Sequence, residues 1–267
     1  MLLALDIGNT HTVGGVFRAA ERVAEWRTST DPDATADGFW MQLGGFLREA
    51  DVRPADLRAV IVASVVPSLD PAVRCVCRSR LELDPLIVSA ALDLGLPVRV
   101  EPPEAAGADR LANAVAARHG YGAPAIVVDL GTATTFDVID AAGDYIGGII
   151  APGVLSASEV LFTRAARLAR VEIRPPLRAI GSTTEQSLRS GLYLGTLAMI
   201  DGLLELVRAE LDVAGGPEPA LIFTGGVTKL FAEDLARRGT VDEHLTLEGL
   251  RLIHVRYADR SRTDDSP

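Results

Sequence analysis

Apolar positions in this chain come in short blocks that stop at a carboxylate. The first, Leu2 to Leu5, meets Asp6, passes Gly8-Asn9 and resumes as Thr12-Val13-Gly14-Gly15-Val16-Phe17. Two short runs about a Gly-Asn signal predict a β-hairpin. The plan recurs: Ala125-Ile126-Val127-Val128 meets Asp129, passes Gly131 and several hydroxyls, and resumes as Phe136-Asp137-Val138-Ile139. Asp6 and Asp129 lie 123 residues apart, close to half of the 267-residue chain. A repeat on that scale predicts two homologous domains, 1–118 and 119–267, each opening with a hairpin.

Between and after the hairpins, strand and helix signals alternate. Val60 to Val66 is a β-branched run that ends at Pro67, and Leu86-Ile87-Val88 is strand-like. Pro71 to Arg80 and Gly107 to His119 carry helical patterns, the second stopping at Gly120. In the second half, Ser156 to Ala169 and Thr184 to Leu211 read as helices. The longer one starts with Thr183 and Gln186 at capping-box spacing. Ala220-Leu221-Ile222-Phe223 reads as a buried strand running into Thr224-Gly225-Gly226. The alternation predicts an α/β fold with sheets covered by helices. The polar tail from Ala258 to Pro267 reads as disordered.

Charge narrows the function classes. The net charge is −10 and no Lys/Arg cluster stands out, which argues against a nucleic-acid partner. Of the 26 basic residues only Lys229 is a lysine, so a P-loop lysine is excluded. Any phosphate chemistry must then use backbone amides, hydroxyls, cations and arginine. No apolar run approaches a membrane span, and Met-Leu-Leu-Ala-Leu meets Asp6 with no basic region, unlike a signal peptide. The expectation is a cytoplasmic protein with no membrane partner. The two cysteines, Cys75 and Cys77, are too few for a disulfide framework or a zinc site and read as reduced thiols.

Several stretches carry candidate chemistry. A strand end followed by glycine exposes backbone N–H groups that bind anions. An aspartate there repels phosphate unless a cation lies between, so two such turns suit a clamp for Mg²⁺ and a polyphosphate. The plain alternative for each is an ordinary polar hairpin turn. In Gly107-Ala108-Asp109-Arg110, Asp109 stands where a helix should begin. It reads as an N-cap, or as a base for an alcohol kept ionised by the helix terminus, beside an arginine that can grip an anion. The glycines of Tyr145 to Gly153 allow close approach of a ligand or a strand, or form a tight bend. Thr224-Gly225-Gly226 is a candidate seat for a nucleoside. Ser187, Gly191 and Gly195 recur every four residues, as for internal packing or a dimer contact. His11 lies in the first turn as a possible lining residue, and no histidine pair has metal-ligand spacing.

Taken in order, Asp6-Ile7-Gly8-Asn9-Thr10, Ser64-Val65-Val66-Pro67, Gly107-Ala108-Asp109-Arg110, Asp129-Leu130-Gly131-Thr132-Ala133-Thr134-Thr135, Gly147 to Gly153, Ile180-Gly181 before Thr184, and Thr224-Gly225-Gly226 closely resemble the type III pantothenate kinases, from Leu2 to about Val255. The resemblance implies two ribonuclease-H-like (actin-like) domains, each a mixed β-sheet flanked by helices, with the active site in the cleft between them. It implies ATP, Mg²⁺ and a monovalent cation (K⁺ or NH₄⁺), a homodimer, and phosphorylation of the primary hydroxyl of pantothenate in the first step of coenzyme A biosynthesis. By resemblance, Asp6, Ile7, Gly8, Asn9, Thr10, His11, Thr12 and Val13 form the first phosphate-binding turn, with Asp6 near Mg²⁺. Asp109 is the base. Gly107, Ala108, Asp109 and Arg110 contact pantothenate, as does Thr184. Asp129 holds the monovalent cation and Thr132 contacts ATP. The chain departs from the family pattern at Val100, where many members have tyrosine, and at Ser182 and Thr183, where lysine and asparagine are common. Ala166 to Arg170 lacks a usual Leu-Pro pair. Two other readings stay open: a nucleotide-binding regulator without catalysis, and a related sugar, acetate or polyphosphate enzyme.

Overall fold

The computed structural model describes residues 1–164, 170–212 and 217–264. Contacts divide the chain into two units: Met1–Gly120 with the segment beginning at His244, and Tyr121–Glu243. The sequence reading divides the chain linearly after residue 118. In the structure the last helix returns to the first sheet, because its apolar residues are buried there and not in the second unit.

In the first unit, β1 (Leu2–Ile7) pairs antiparallel with β2 (His11–Arg18), and β2 with β3 (Glu21–Ser29). On its other side β1 pairs parallel with β4 (Ala59–Ser64), which pairs with β5 (Leu86–Ile87), giving the order β3-β2-β1-β4-β5. A central strand covered on both faces needs apolar residues at nearly every position, and β1 has them. One face packs Leu3, Leu5 and Ile7 with Phe39, Leu43 and Leu47 of α1 (Ala36–Glu49) and with Val73 and Val76 of α2 (Asp70–Arg80). The remaining elements are α3 (Ala108–Tyr121) and α7 (Leu245–Asp264). These two helices pack so closely that a side chain at Gly249 would meet the Ala112 carbonyl. Cys75 is exposed and Cys77 buried, both free thiols on α2, and burial pushes the Cys77 thiol up to about 11.

The second unit repeats the pattern. Strand β6 (Ala125–Leu130) pairs antiparallel with β7 (Ala133–Ile139), and β7 with β8 (Tyr145–Pro152). On the other side β6 pairs parallel with β9 (Ala220–Thr224), which pairs with β10 (Thr240–Val241), giving β10-β9-β6-β7-β8. Its core joins Ile126, Val128, Phe136 and Phe223 to Leu192, Leu197, Ile200 and Leu204 of α5 (Thr184–Asp212). Tyr193 of α5 stacks on Phe231 at 4.7 Å between ring centroids. Helices α4 (Val154–Arg164) and α6 (Ala232–Ala236) complete the unit. Two copies of one five-stranded mixed sheet with flanking helices are the ribonuclease-H-like, actin-like fold twice over. Asp6 and Asp129 hold the same place in the two copies, fifth of the six residues of the central strand.

Several expectations change. Helix α3 does not stop at Gly120 but continues to Tyr121, and Gly122 follows at φ +87°. The segment Tyr145 to Pro152 is a strand and not a bend. The tail is helical as far as Asp264, since Leu250 and Ile253 anchor α7 in the core. At the start of α5, Thr183 accepts a hydrogen bond from Gln186 N (3.2 Å), but the Gln186 side chain accepts from Ser182 N (2.9 Å), one residue before the expected reciprocal partner. By length and composition α5 could cross a bilayer, against the expectation that no run is so long. The apolar face it buries in the second sheet's core accounts for much of that composition. Residues 165–169, in the expected helix and the Ala166 to Arg170 departure, lie outside the described residues, as do 265–267 of the tail.

Candidate active site

The first turn joins β1 to β2. Ile7 pairs with Thr12, Gly8 N donates to His11 O (3.0 Å), and Asn9 and Thr10 form the exposed tip. Asp6 is half-buried opposite Val13, at the strand end where its carboxylate leaves the apolar run. The Ile7 side chain is fully buried, so only its backbone can serve a ligand, and its carbonyl already accepts from Val65 N (3.0 Å). His11 is exposed and Thr12 buried. The turn is a small open end on a strand pair, with Asn9, Thr10 and His11 at its surface.

Asp109 lies within the first turn of α3 and not at its cap. Its Oδ1 accepts from Arg110 N (2.8 Å). A side chain at Gly107 would come 2.6 Å from that same oxygen, which explains the glycine two residues before the carboxylate. Leu111 N donates to Gly107 O (3.0 Å), so the loop enters the helix without a break. The half-buried carboxylate therefore sits in the first turn of the helix. Ala108 is buried beneath it, and Arg110 is half-buried.

In the second unit Asp129 is half-buried between Thr135 on β7 and Thr224 on β9. Gly225, at φ +94°, closes around it: a side chain there would collide with Asp129 Oδ1 and come 2.6 Å from Leu130 O. Thr228 Oγ1 donates to Gly225 O (2.7 Å), and Val227 N to Leu130 O (3.0 Å), which hold that backbone in place. So the Thr224-Gly225-Gly226 stretch, read as a nucleoside seat, packs against the aspartate. Thr132 is exposed at the β6–β7 turn, and its carbonyl accepts from Ser156 Oγ (2.7 Å). Gly153 lies so close that a side chain would meet the Gly131 and Thr132 carbonyls. Thr184 is the exposed first residue of α5.

Two residues at these turns escape sequence reasoning. Thr30, just after β3, donates from Oγ1 to Gly8 O (2.7 Å) and from its N–H to Thr10 O (2.9 Å). Ser156 supports Thr132 from 24 residues away. Neither belongs to a local motif, and only pairing across the sheet brings each to its turn. Lys229, the one lysine, is exposed and pairs with Glu243 (3.0 Å), in keeping with a site that works without a lysine.

Known proteins share this arrangement of sequence and fold. The sequence profile described as type III pantothenate kinase matches residues 2–206. The type III pantothenate kinase of Thermomicrobium roseum is 46% identical over 256 residues, covering 96% of this chain and 97% of that protein. The one from Rhodospirillum centenum is 43% identical, covering 97% of this chain and 100% of that protein. Among solved structures, a conserved Campylobacter jejuni candidate of the Baf family of transcriptional activators superposes with TM-score 0.59 at 18% identity, covering 96% of this chain and 99% of that one. At that identity the likeness concerns the fold alone.

Proposed function

The chain belongs to the type III pantothenate kinase family, kinases that phosphorylate pantothenate from ATP for coenzyme A biosynthesis, and we propose that it performs this transfer with Asp109 as base, Asp6 to Val13 on the phosphates, and Asp129 beside a monovalent cation. The observation that supports this most is that Asp6 and Asp129 occupy one position in two copies of the same sheet, each next to a glycine turn.

The residues present fit the cations. Among the described residues no three His, Cys, Asp or Glu side chains gather to hold a metal. Mg²⁺ suits such a setting, since it commonly takes one or two carboxylates together with substrate phosphates. Asp6 is the carboxylate we assign to it. Asp129 is the carboxylate we assign to the monovalent ion, since it stands at the matching strand end of the second copy. When bound, these ions supply the charge neutralisation that a P-loop lysine supplies elsewhere.

The chain's own residues do the rest. Backbone amides at the Asn9-Thr10 tip meet phosphate oxygens, and Thr132 contacts the nucleotide. Arg110 grips the carboxylate of pantothenate in a bidentate pair, with Gly107, Ala108 and Thr184 as further contacts. The primary hydroxyl gives its proton to Asp109 as its oxygen bonds to the γ-phosphorus. The bond from that phosphorus to the β–γ bridging oxygen breaks, and ADP leaves. In a loose transition state the proton moves late, so the step does not call for a strong base.

The same reading includes a homodimer and a cytoplasmic location without nucleic-acid or membrane partners. Supporting the dimer, a side chain at Gly191 or Gly195 would meet nothing, so the outer face of α5 has room for a second helix. The test is the purified protein with Mg-ATP and pantothenate, with and without potassium, following phosphopantothenate by mass. Potassium-dependent product is the expected result. No product from folded, ATP-binding protein with either potassium or ammonium refutes the reading.

A further inference from the structure

Three hydrogen bonds converge on the first turn from a residue outside every motif. Thr30 Oγ1 reaches Gly8 O at 2.7 Å, Thr30 N reaches Thr10 O at 2.9 Å, and Thr12 Oγ1 lies 2.9 Å from Thr30 Oγ1. Proton accounting orders the side-chain pair. A carbonyl only accepts, so the Thr30 hydroxyl spends its one hydrogen on Gly8 O. The Thr12 hydroxyl must then be the donor to Thr30. The relay runs from Thr12 through Thr30 to Gly8. Thr12 is only 4% exposed, and with its hydrogen spent its hydroxyl has only lone pairs left, which repel phosphate.

We infer that Thr30 is the positioning residue of the phosphate turn, and that the Thr12 hydroxyl serves Thr30 and not the nucleotide. Thr30 clasps Gly8 and Thr10, on both sides of the exposed tip, and so sets the direction of the amides between them. It is itself held on two sides. Ser29 pairs with His11 across the β2–β3 ladder, and Ser68 Oγ donates to Pro32 O (2.9 Å) just beyond it. A turn of exposed polar residues has many conformations available, and a turn pinned at both ends keeps one, so binding phosphate there requires less ordering. The inference rests on the reading of Asp6 to Val13 as the phosphate turn.

The experiment compares steady-state kinetics and thermal melting of the full-length protein carrying Thr30→Val, Thr30→Ser or Asp6→Asn. Removing the Thr30 hydroxyl strands the Gly8 carbonyl and the Thr12 hydroxyl, an unmet-partner loss that corresponds to about tenfold. Thr30→Val should raise KM for Mg-ATP about tenfold with kcat moved less than about threefold. Thr30→Ser, which restores the hydroxyl, should return KM to within about twofold of the parent. A merely structural Thr30 would lower the melting temperature and the active fraction without moving KM. Should Thr30→Val not fold, Thr30→Ala, which fills less space, carries the same test. An unchanged KM in Thr30→Val, or a Thr30→Ser variant as impaired as it, overturns the inference while Asp6→Asn still impairs Mg-ATP use. If Asp6→Asn itself leaves Mg-ATP use unchanged, the phosphate-turn reading fails and takes the inference with it.

Discussion

Adding one methyl group at Gly225 tests the packing behind the second turn. Gly225 sits at φ +94°, where an L-residue costs about 1–2 kcal/mol. Its new Cβ would also collide with Asp129 Oδ1 and lie 2.6 Å from Leu130 O. Overpacking of that kind costs about 1–3 kcal/mol, because the obstacle is backbone and a strand-end carboxylate, not a flexible side chain. Gly225→Ala should therefore lose about 2–5 kcal/mol, a large part of the roughly 5–15 kcal/mol that holds a typical protein folded. Urea unfolding followed by far-UV circular dichroism measures it. The same substitution at Gly45, inside α1 with nothing within 4 Å of where the new methyl would lie, provides the contrast. There alanine only removes glycine's excess backbone entropy and should gain about 0.5–1 kcal/mol. Because the displaced atom at Gly225 is the Asp129 carboxylate, the potassium concentration for half-maximal rate should also rise in Gly225→Ala and stay unchanged in Gly45→Ala. A loss below about 1 kcal/mol at Gly225, or equal losses at both sites, refutes the reasoning.

Asp109→Asn should keep Mg-ATP binding and lose turnover by roughly 10²–10⁴, measured by single-turnover product formation, and unchanged turnover would remove Asp109 as the base. Arg238 grips Asp201 through two hydrogen bonds (2.6 and 2.7 Å) and holds its carboxyl below the ordinary range. The depressed folded value means that the pair stabilises above the unfolded pKa of about 4 and fades as pH falls through the folded value. The pair is partly exposed, so Asp201→Asn should cost only about 0.5–1 kcal/mol at pH 7, with its melting curve merging with the parent's under strong acid. A difference that persists once the carboxyl is protonated would mean that charge is not what the pair contributes.

Local pattern was enough for the elements that hold this chain's chemistry. An apolar run ending in Asp6 or Asp129 before a glycine can only be a strand reaching a turn, and the matched spacing announced two copies of one plan. Periodicity likewise located α5, which buries one face and exposes the other, whereas α3 is buried at every residue from Leu111 to Ala117 and reads as a helix from its alanines and flanking glycines. The lack of a P-loop lysine was also a property of composition alone. What tertiary structure decided are the contacts whose partners are distant in the chain. Thr30 lies 22 residues from the Gly8 it supports, and no spacing rule links them. Gly225 reads as part of a nucleoside seat in sequence, but its missing side chain makes room for Asp129, some 96 residues earlier. Asp109 stands second in the helix and not at its cap, a choice of local hydrogen bonds that residue type leaves open. Helix α7 crossed the half-chain boundary because its apolar face belongs to the first sheet, and burial, not order in the chain, chooses where a helix packs.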